Sequence, residues 1–118
     1  MFTPEARVRV WLCTEPTDMR KSFDGLSALV RNRLGEDPLS GHLYCFINRR
    51  RTQMRILYFD RSGYAMWAKR LERGHFVPGG ARGADEPKRA LSFAELQCLI
   101  DGIELAGARQ YRRFSLGP

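Results

Sequence analysis

Six cations stand near the middle of this 118-residue chain and are its best candidates for chemistry: Arg49, Arg50, Arg51 and Arg55, then Lys69 and Arg70. A guanidinium offers a planar fork of donors that fits a phosphate bidentately and stays charged at any biological pH. Arg20 and Lys21 form a smaller group inside Thr17–Leu26 (TDMRKSFDGL). There they would line a helix N-terminus, whose free N–H groups already favour an anion. Asp18 and Asp24 could equally neutralise them from within the same segment. The rings of Tyr44, Phe46, Phe59 and Trp67 are interleaved with the first group, and rings beside cations suit stacking on bases.

Other chemistries find little support. A nuclease or strand-transfer centre needs two or three carboxylates converging on a divalent cation. Here Asp18, Asp24, Asp60, Glu72, Glu95 and Asp101 are scattered, with Asp18 better read as a helix cap and Asp60 as a turn residue. His42 and His75 have no third ligand at motif spacing. Cys13, Cys45 and Cys98 are odd in number, lack C-x-x-C spacing and sit in apolar runs, which suits buried free thiols rather than disulfides or zinc. Gly79, Gly80 and Gly83 lack the strand and the Gly-Lys-Ser/Thr ending of a phosphate loop. We therefore expect no catalytic residues, no metal and no cofactor.

The charge balance points to a polyanionic partner. Twenty Lys and Arg, seventeen of them Arg, face thirteen Asp and Glu, giving +7 and a pI near 9.9. Such an excess attracts nucleic acid by counterion release, although an Arg-rich codon bias would give the same balance. With 43% hydrophobic residues, a folded domain rather than disorder is expected. There is no signal-like start and no apolar run near the ~18 residues of a membrane span. The expectation is a single cytoplasmic domain over residues 1–118, with no membrane association.

Positioning falls to an α+β fold with a mainly antiparallel sheet of about four strands, in the order β-α-β-β-β-α, with two helices. Residues 7–13 (RVRVWLC) read as a strand. Thr17 or Asp18 can cap a helix whose apolar stripe is Phe23, Leu26, Leu29, Val30 and Leu34, closed by Gly35. Three strands follow, 42–48, 53–60 and 64–71, joined by the breaks 49–52 and 61–63. Residues 77–90, rich in Gly and Pro, read as a flexible loop. Ser92 and Glu95 then form a capping box for a second helix carrying Phe93, Leu96, Leu99, Ile100 and Ile103. Residues from about 108 to 118 make a basic, aromatic tail.

Pairing Asn48 with Gln53 sets Phe46 opposite Arg55 and Tyr44 opposite Leu57. Pairing Asp60 with Tyr64 sets Leu57 opposite Trp67 and Arg55 opposite Lys69. One face then carries Leu43, Cys45, Ile47, Met54, Ile56, Tyr58 and Met66. The other carries Tyr44, Phe46, Arg55, Leu57, Phe59, Trp67 and Lys69. A slip of one residue would reverse the faces. In this register Arg55 and Lys69, next to the arginine break, form an uncompensated cationic patch that a phosphate backbone would relieve.

Three segments carry a family resemblance: Val10–Leu12 with Thr17–Leu26 (TDMRKSFDGL), Asp37–Arg50 (DPLSGHLYCFINRR) and Lys69–Phe76 (KRLERGHF). In that order they resemble TnpB (Orf2), the small accessory protein of the insertion-sequence-66 group of bacterial transposable elements. It shares only a name with the RNA-guided nucleases called TnpB. The likeness departs at Phe59-Asp60, where the pattern has Trp-Asp, and at Phe76-Val77-Pro78. It implies a role in transposition beside a larger transposase that carries the catalytic carboxylates, and no enzymatic activity of its own. Within that role the cations suggest DNA, at the element ends, as partner. An adaptor that contacts the transposase with little DNA binding is the alternative, and self-association is possible.

Overall fold

The computed structural model describes residues 7–79, 86–104 and 109–110, with side chains described as far as Gly102. Five strands form one sheet: β1 (Val10–Cys13), β2 (Leu43–Ile47), β3 (Gln53–Asp60), β4 (Gly63–Arg70) and β5 (Lys88–Leu91), in the spatial order β4-β3-β2-β1-β5. Helix α1 (Phe23–Asn32) connects β1 to β2, and α2 (Phe93–Asp101) follows β5. Two further two-residue strands, β6 (Ile103–Glu104) and β7 (Arg109–Gln110), pair with each other.

The run Leu43-Tyr-Cys-Phe-Ile has no polar alternation because β2 is covered on both sides; all five residues are buried. Tyr44 and Phe46 face α1 together with Cys13 and Leu57, and meet Leu26, Val30 and Leu34. Leu43, Cys45 and Ile47 face the other way with Val10, Leu12, Met54, Ile56 and Leu91. They pack there against Leu96, Leu99 and Phe76. The start of α1 is tied to β3, where Arg55 donates to the Lys21 carbonyl at 2.6 Å. Its end is tied to the segment after β1, where Arg33 pairs with Glu15 at 2.6 Å. The helix therefore runs across the strands.

The sheet is larger and more mixed than an antiparallel four-strand arrangement. β1 and β2 are parallel, since the helical crossover between them returns the chain to the same end. β5 begins within the segment expected to be a loop and ends one residue beyond it. It pairs antiparallel with β1, Val10 opposite Leu91 and Cys13 opposite Lys88. Its charged sequence hides it because a short edge strand needs little apolar surface. Lys88 lies 4.6 Å from the centre of the Trp11 ring and pairs with Glu36. Residues 80–85 of the expected loop, and the tail beyond Gln110, lie outside the described residues.

Between β2 and β3 the register is the expected one, with Tyr44 opposite Leu57 and Phe46 opposite Arg55. Between β3 and β4 it differs by one residue. Asp60 opposes Gly63, closing a two-residue turn in which Arg61 takes a left-handed φ of 56°. Every β4 side chain thereby changes face. Leu57 is opposite Met66, Ile56 opposite Trp67, and Met54 opposite Lys69.

The helix caps differ in how legible they are. α1 is capped at Ser22, without a side-chain bond, rather than at Thr17 or Asp18. Thr17 is buried, and its N–H donates to the Ile47 carbonyl at 2.9 Å. For α2, Ser92 Oγ accepts the Glu95 N–H at 3.0 Å and the Glu95 carboxylate accepts the Ser92 N–H at 2.9 Å. Gly102, at φ 76°, ends the helix. Replacing Ser92 by Ala should therefore lower stability by about 1 kcal/mol in urea unfolding; a change within about 0.2 kcal/mol would mean that α2 does not need this cap.

Candidate nucleic-acid interface

The arginine break is a tight turn held by one side chain. Arg51 N–H donates to the Asn48 carbonyl at 3.0 Å, and Arg51 takes a φ of 60°. Asn48 Oδ1 accepts the N–H groups of Thr52 at 2.8 Å and Gln53 at 3.0 Å, while Nδ2 donates to Thr52 Oγ1 at 3.2 Å. Asn is suited to this because its short amide can substitute for backbone partners in a turn. The result fixes the backbone under Arg49, Arg50 and Arg51, all three exposed. Among the described residues no carboxylate lies within ion-pair distance of any of them.

A second segment folds against this turn. Leu71 N–H donates to the Thr52 carbonyl, and Phe76 N–H to the Arg51 carbonyl, each at 2.7 Å. Phe76 is buried in the α2-side core and anchors the loop that carries Arg73 and His75. Arg70 closes β4 opposite Gln53, so it shares this end of the sheet. It pairs at 3.0 Å with Glu72 through one guanidinium nitrogen, both side chains largely exposed; such a surface pair is weak enough to open for another anion. Arg73 was not among the cations singled out from the sequence, although it lies inside the Lys69–Phe76 segment. Its membership depends on the backbone bonds from 71 and 76, which no sequence pattern shows.

The other candidates are separated. Arg55 and Lys69 do not face each other, because the shifted β3–β4 register puts them on opposite faces. Arg55 is half-buried on the α1 side, and Lys69 turns its amine to the Ile100 carbonyl of α2 at 3.4 Å. A patch built on Arg55 with Lys69 is therefore corrected to one built on the turn and on Arg70. The aromatic face is corrected as well. Tyr44 and Phe46 are fully buried beneath α1. Tyr44 OH is occupied by the Asp37 carbonyl at 3.0 Å and Ser40 Oγ at 2.8 Å. Phe59 stacks edge-on against Tyr64 with ring centres 5.5 Å apart, near the opposite end of the hairpin. Trp67 belongs to the α2 face.

At the α1 start, Asp18 settles the question of neutralisation for Arg20. Its carboxylate accepts the Arg20 backbone N–H at 2.9 Å and both Nε and Nη2 of the guanidinium, the closest at 2.6 Å. These bonds hold the Asp18 carboxyl down to about 2. Lys21 is exposed and has no ion-pair partner among the described residues. Burial pushes the Cys45 thiol up to about 12, so it is protonated and inert at neutral pH. No group of three or more His, Cys, Asp or Glu that could hold a metal occurs among the described residues. No helix among them is long and apolar enough to cross a membrane.

Residues 8–110 match the family model described as IS66 Orf2 like protein. The chain is 38% identical over 104 residues to the uncharacterized protein y4hO of Sinorhizobium fredii, a match spanning 88% of each chain. It is 36% identical over 105 residues to the uncharacterized protein y4jC of the same organism, spanning 88% of this chain and 86% of the relative. No solved structure matches.

The Asp18 pair has a pH signature. A carboxyl whose folded value lies below its unfolded one favours the fold above the ordinary carboxylate range. That contribution fades as pH falls towards about 2. Arg20→Ala should return Asp18 towards the ordinary range in a carbon-detected NMR titration; an unmoved Asp18 would assign its shift to the backbone N–H alone.

Proposed function

The chain belongs to the IS66 Orf2-like family, and we propose that it serves DNA transposition as a non-catalytic accessory protein whose β2–β3 turn binds the phosphates of duplex DNA. The observation that carries this reading is the row Arg49-Arg50-Arg51, held on a fixed turn with no carboxylate beside it among the described residues. Three adjacent like charges repel, and the turn keeps their backbone attachment points close together. A phosphate backbone relieves that repulsion and releases its own condensed counterions. Arg70 and Arg73 widen the contact. Lys21 is a secondary candidate, and Arg20 a weaker one because Asp18 already answers its charge.

Duplex rather than single-stranded DNA is favoured because single strands are gripped by rings on which bases stack. None of the four aromatic candidates is available beside the turn. Nor does the turn offer a base-reading amide, since both polar atoms of Asn48 are engaged in holding it. Binding through guanidinium groups alone positions DNA and carries little sequence information. Recognition of element ends would then fall largely to the transposase, and this chain would add affinity to the assembly.

The test compares the natural chain with a variant carrying Arg49→Ala, Arg50→Ala and Arg51→Gly; glycine keeps the left-handed conformation at 51. Fluorescence anisotropy with a labelled duplex is read across a salt series. Each phosphate that is no longer neutralised should flatten the slope of log K against log salt by about 0.9, so a drop of about 2 to 3 is expected. Arg20→Ala should change the slope by less than half the effect of a single phosphate. Unchanged affinity and slope in the triple variant would overturn the DNA reading and leave the adaptor to the transposase as the function.

A further inference from the structure

We propose that the outer edge of β4 is a self-association surface, on which a second copy of this chain pairs antiparallel through its own β4. The ladder with β3 fixes which backbone groups point outwards. Leu71 N–H bonds to the Thr52 carbonyl, and the same register continues from Gln53 opposite Arg70 to Asp60 opposite Gly63. Bonded and unbonded pairs alternate along an antiparallel ladder. Gly63, Ala65, Trp67 and Lys69 therefore bond to β3, while Tyr64, Met66, Ala68 and Arg70 turn N–H and C=O away from it. β4 ends the strand order, and no backbone bond to these four residues from beyond the edge occurs among the described residues.

Open edges are commonly guarded by proline, a bulge or a projecting charge. β4 has no proline, and its pairing with β3 is uninterrupted. Its two charges lie together at one end and are both engaged within the chain, Lys69 on the Ile100 carbonyl and Arg70 on Glu72. That placement also selects the partner. In a two-fold pairing centred on Trp67, all four outward residues find bonded partners. Met66 exchanges bonds with Ala68 of the second copy, and Tyr64 with Arg70 of the second copy. Lys69 then lies opposite Ala65, so no cation meets a cation, and each Arg70 meets a ring. The two-fold axis stands perpendicular to the sheet. Both α1 helices share one face of a continuous sheet, and the two arginine turns lie at its opposite ends.

The proposal is independent of DNA binding and is tested without DNA, by sedimentation velocity of the full chain over a concentration series. The natural chain should form a dimer. Ala65→Lys sets like charges opposite Lys69 twice per dimer, and Ala65→Glu sets opposite charges there. The two substitutions are similar in size, so their dimer dissociation constants should differ by about tenfold or more, with the Lys variant weaker. Ala68→Pro removes an outward N–H from an exposed position without touching the β3 ladder. It should give a monomer with an unchanged circular dichroism spectrum. A natural chain that stays monomeric, or Lys and Glu variants that associate equally, would overturn the proposal.

Discussion

The structure depends on the burial of β2 from both sides. Ten helical residues of α1 and nine of α2 cover opposite faces of the same central strand. Neither helix has the length to be stable alone, since short isolated helices are marginal in water. Each is held by the sheet beneath it, and the sheet is completed by having both faces covered. Removing apolar volume from β2 would therefore loosen two layers at once, whereas a change on β5 would affect one edge.

This constraint decides where function can lie. A sheet with both faces covered offers its ends and edges, and the flat central surfaces that small β domains often use for binding are unavailable here. Tyr44 and Phe46 illustrate the loss: residues of a type and spacing suited to base stacking are consumed in holding α1. The end of the sheet at the β2–β3 turn receives Arg49, Arg50, Arg51 and Arg70 because β2, β3 and β4 all begin or finish there. The backbone bonds from Leu71 and Phe76 draw Arg73 to the same place.

Much of this was legible in the sequence, for identifiable reasons. The two helices carry strong apolar stripes, and Ser92 with Glu95 is a local signal that depends on nothing beyond four consecutive residues. The β2–β3 register follows from the length of the arginine turn. What was hidden depended on partners far away in sequence. β5 is a strand because β1 is beside it, and the parallel pairing of β1 with β2 comes from the crossover through α1. The β3–β4 register turned on the left-handed φ of Arg61, a conformation that non-glycine residues adopt only occasionally. From sequence, Gly63 is the more natural turn residue. That single backbone choice moved Trp67 and Lys69 to the α2 side and split the cationic pair expected with Arg55.

The arginine turn survives that shift because its geometry is local. Asn48 supplies three side-chain hydrogen bonds within six residues, so the turn keeps its shape whichever face the β4 side chains take. Side-chain rotation can ease the repulsion between these exposed charges, but backbone motion cannot carry them apart. Here the backbone is pinned at Asn48 on one side and by the Arg51–Phe76 bond on the other. Cations carried on an ordered backbone lose less conformational freedom when they meet a phosphate backbone than those of a flexible basic tail do. Arg20 differs: Asp18 already holds its guanidinium at both Nε and Nη2, so an incoming anion would have to compete with a carboxylate there. Rigidity and free charge coincide at the β2–β3 turn, which makes it the part of this fold best prepared for a charged partner.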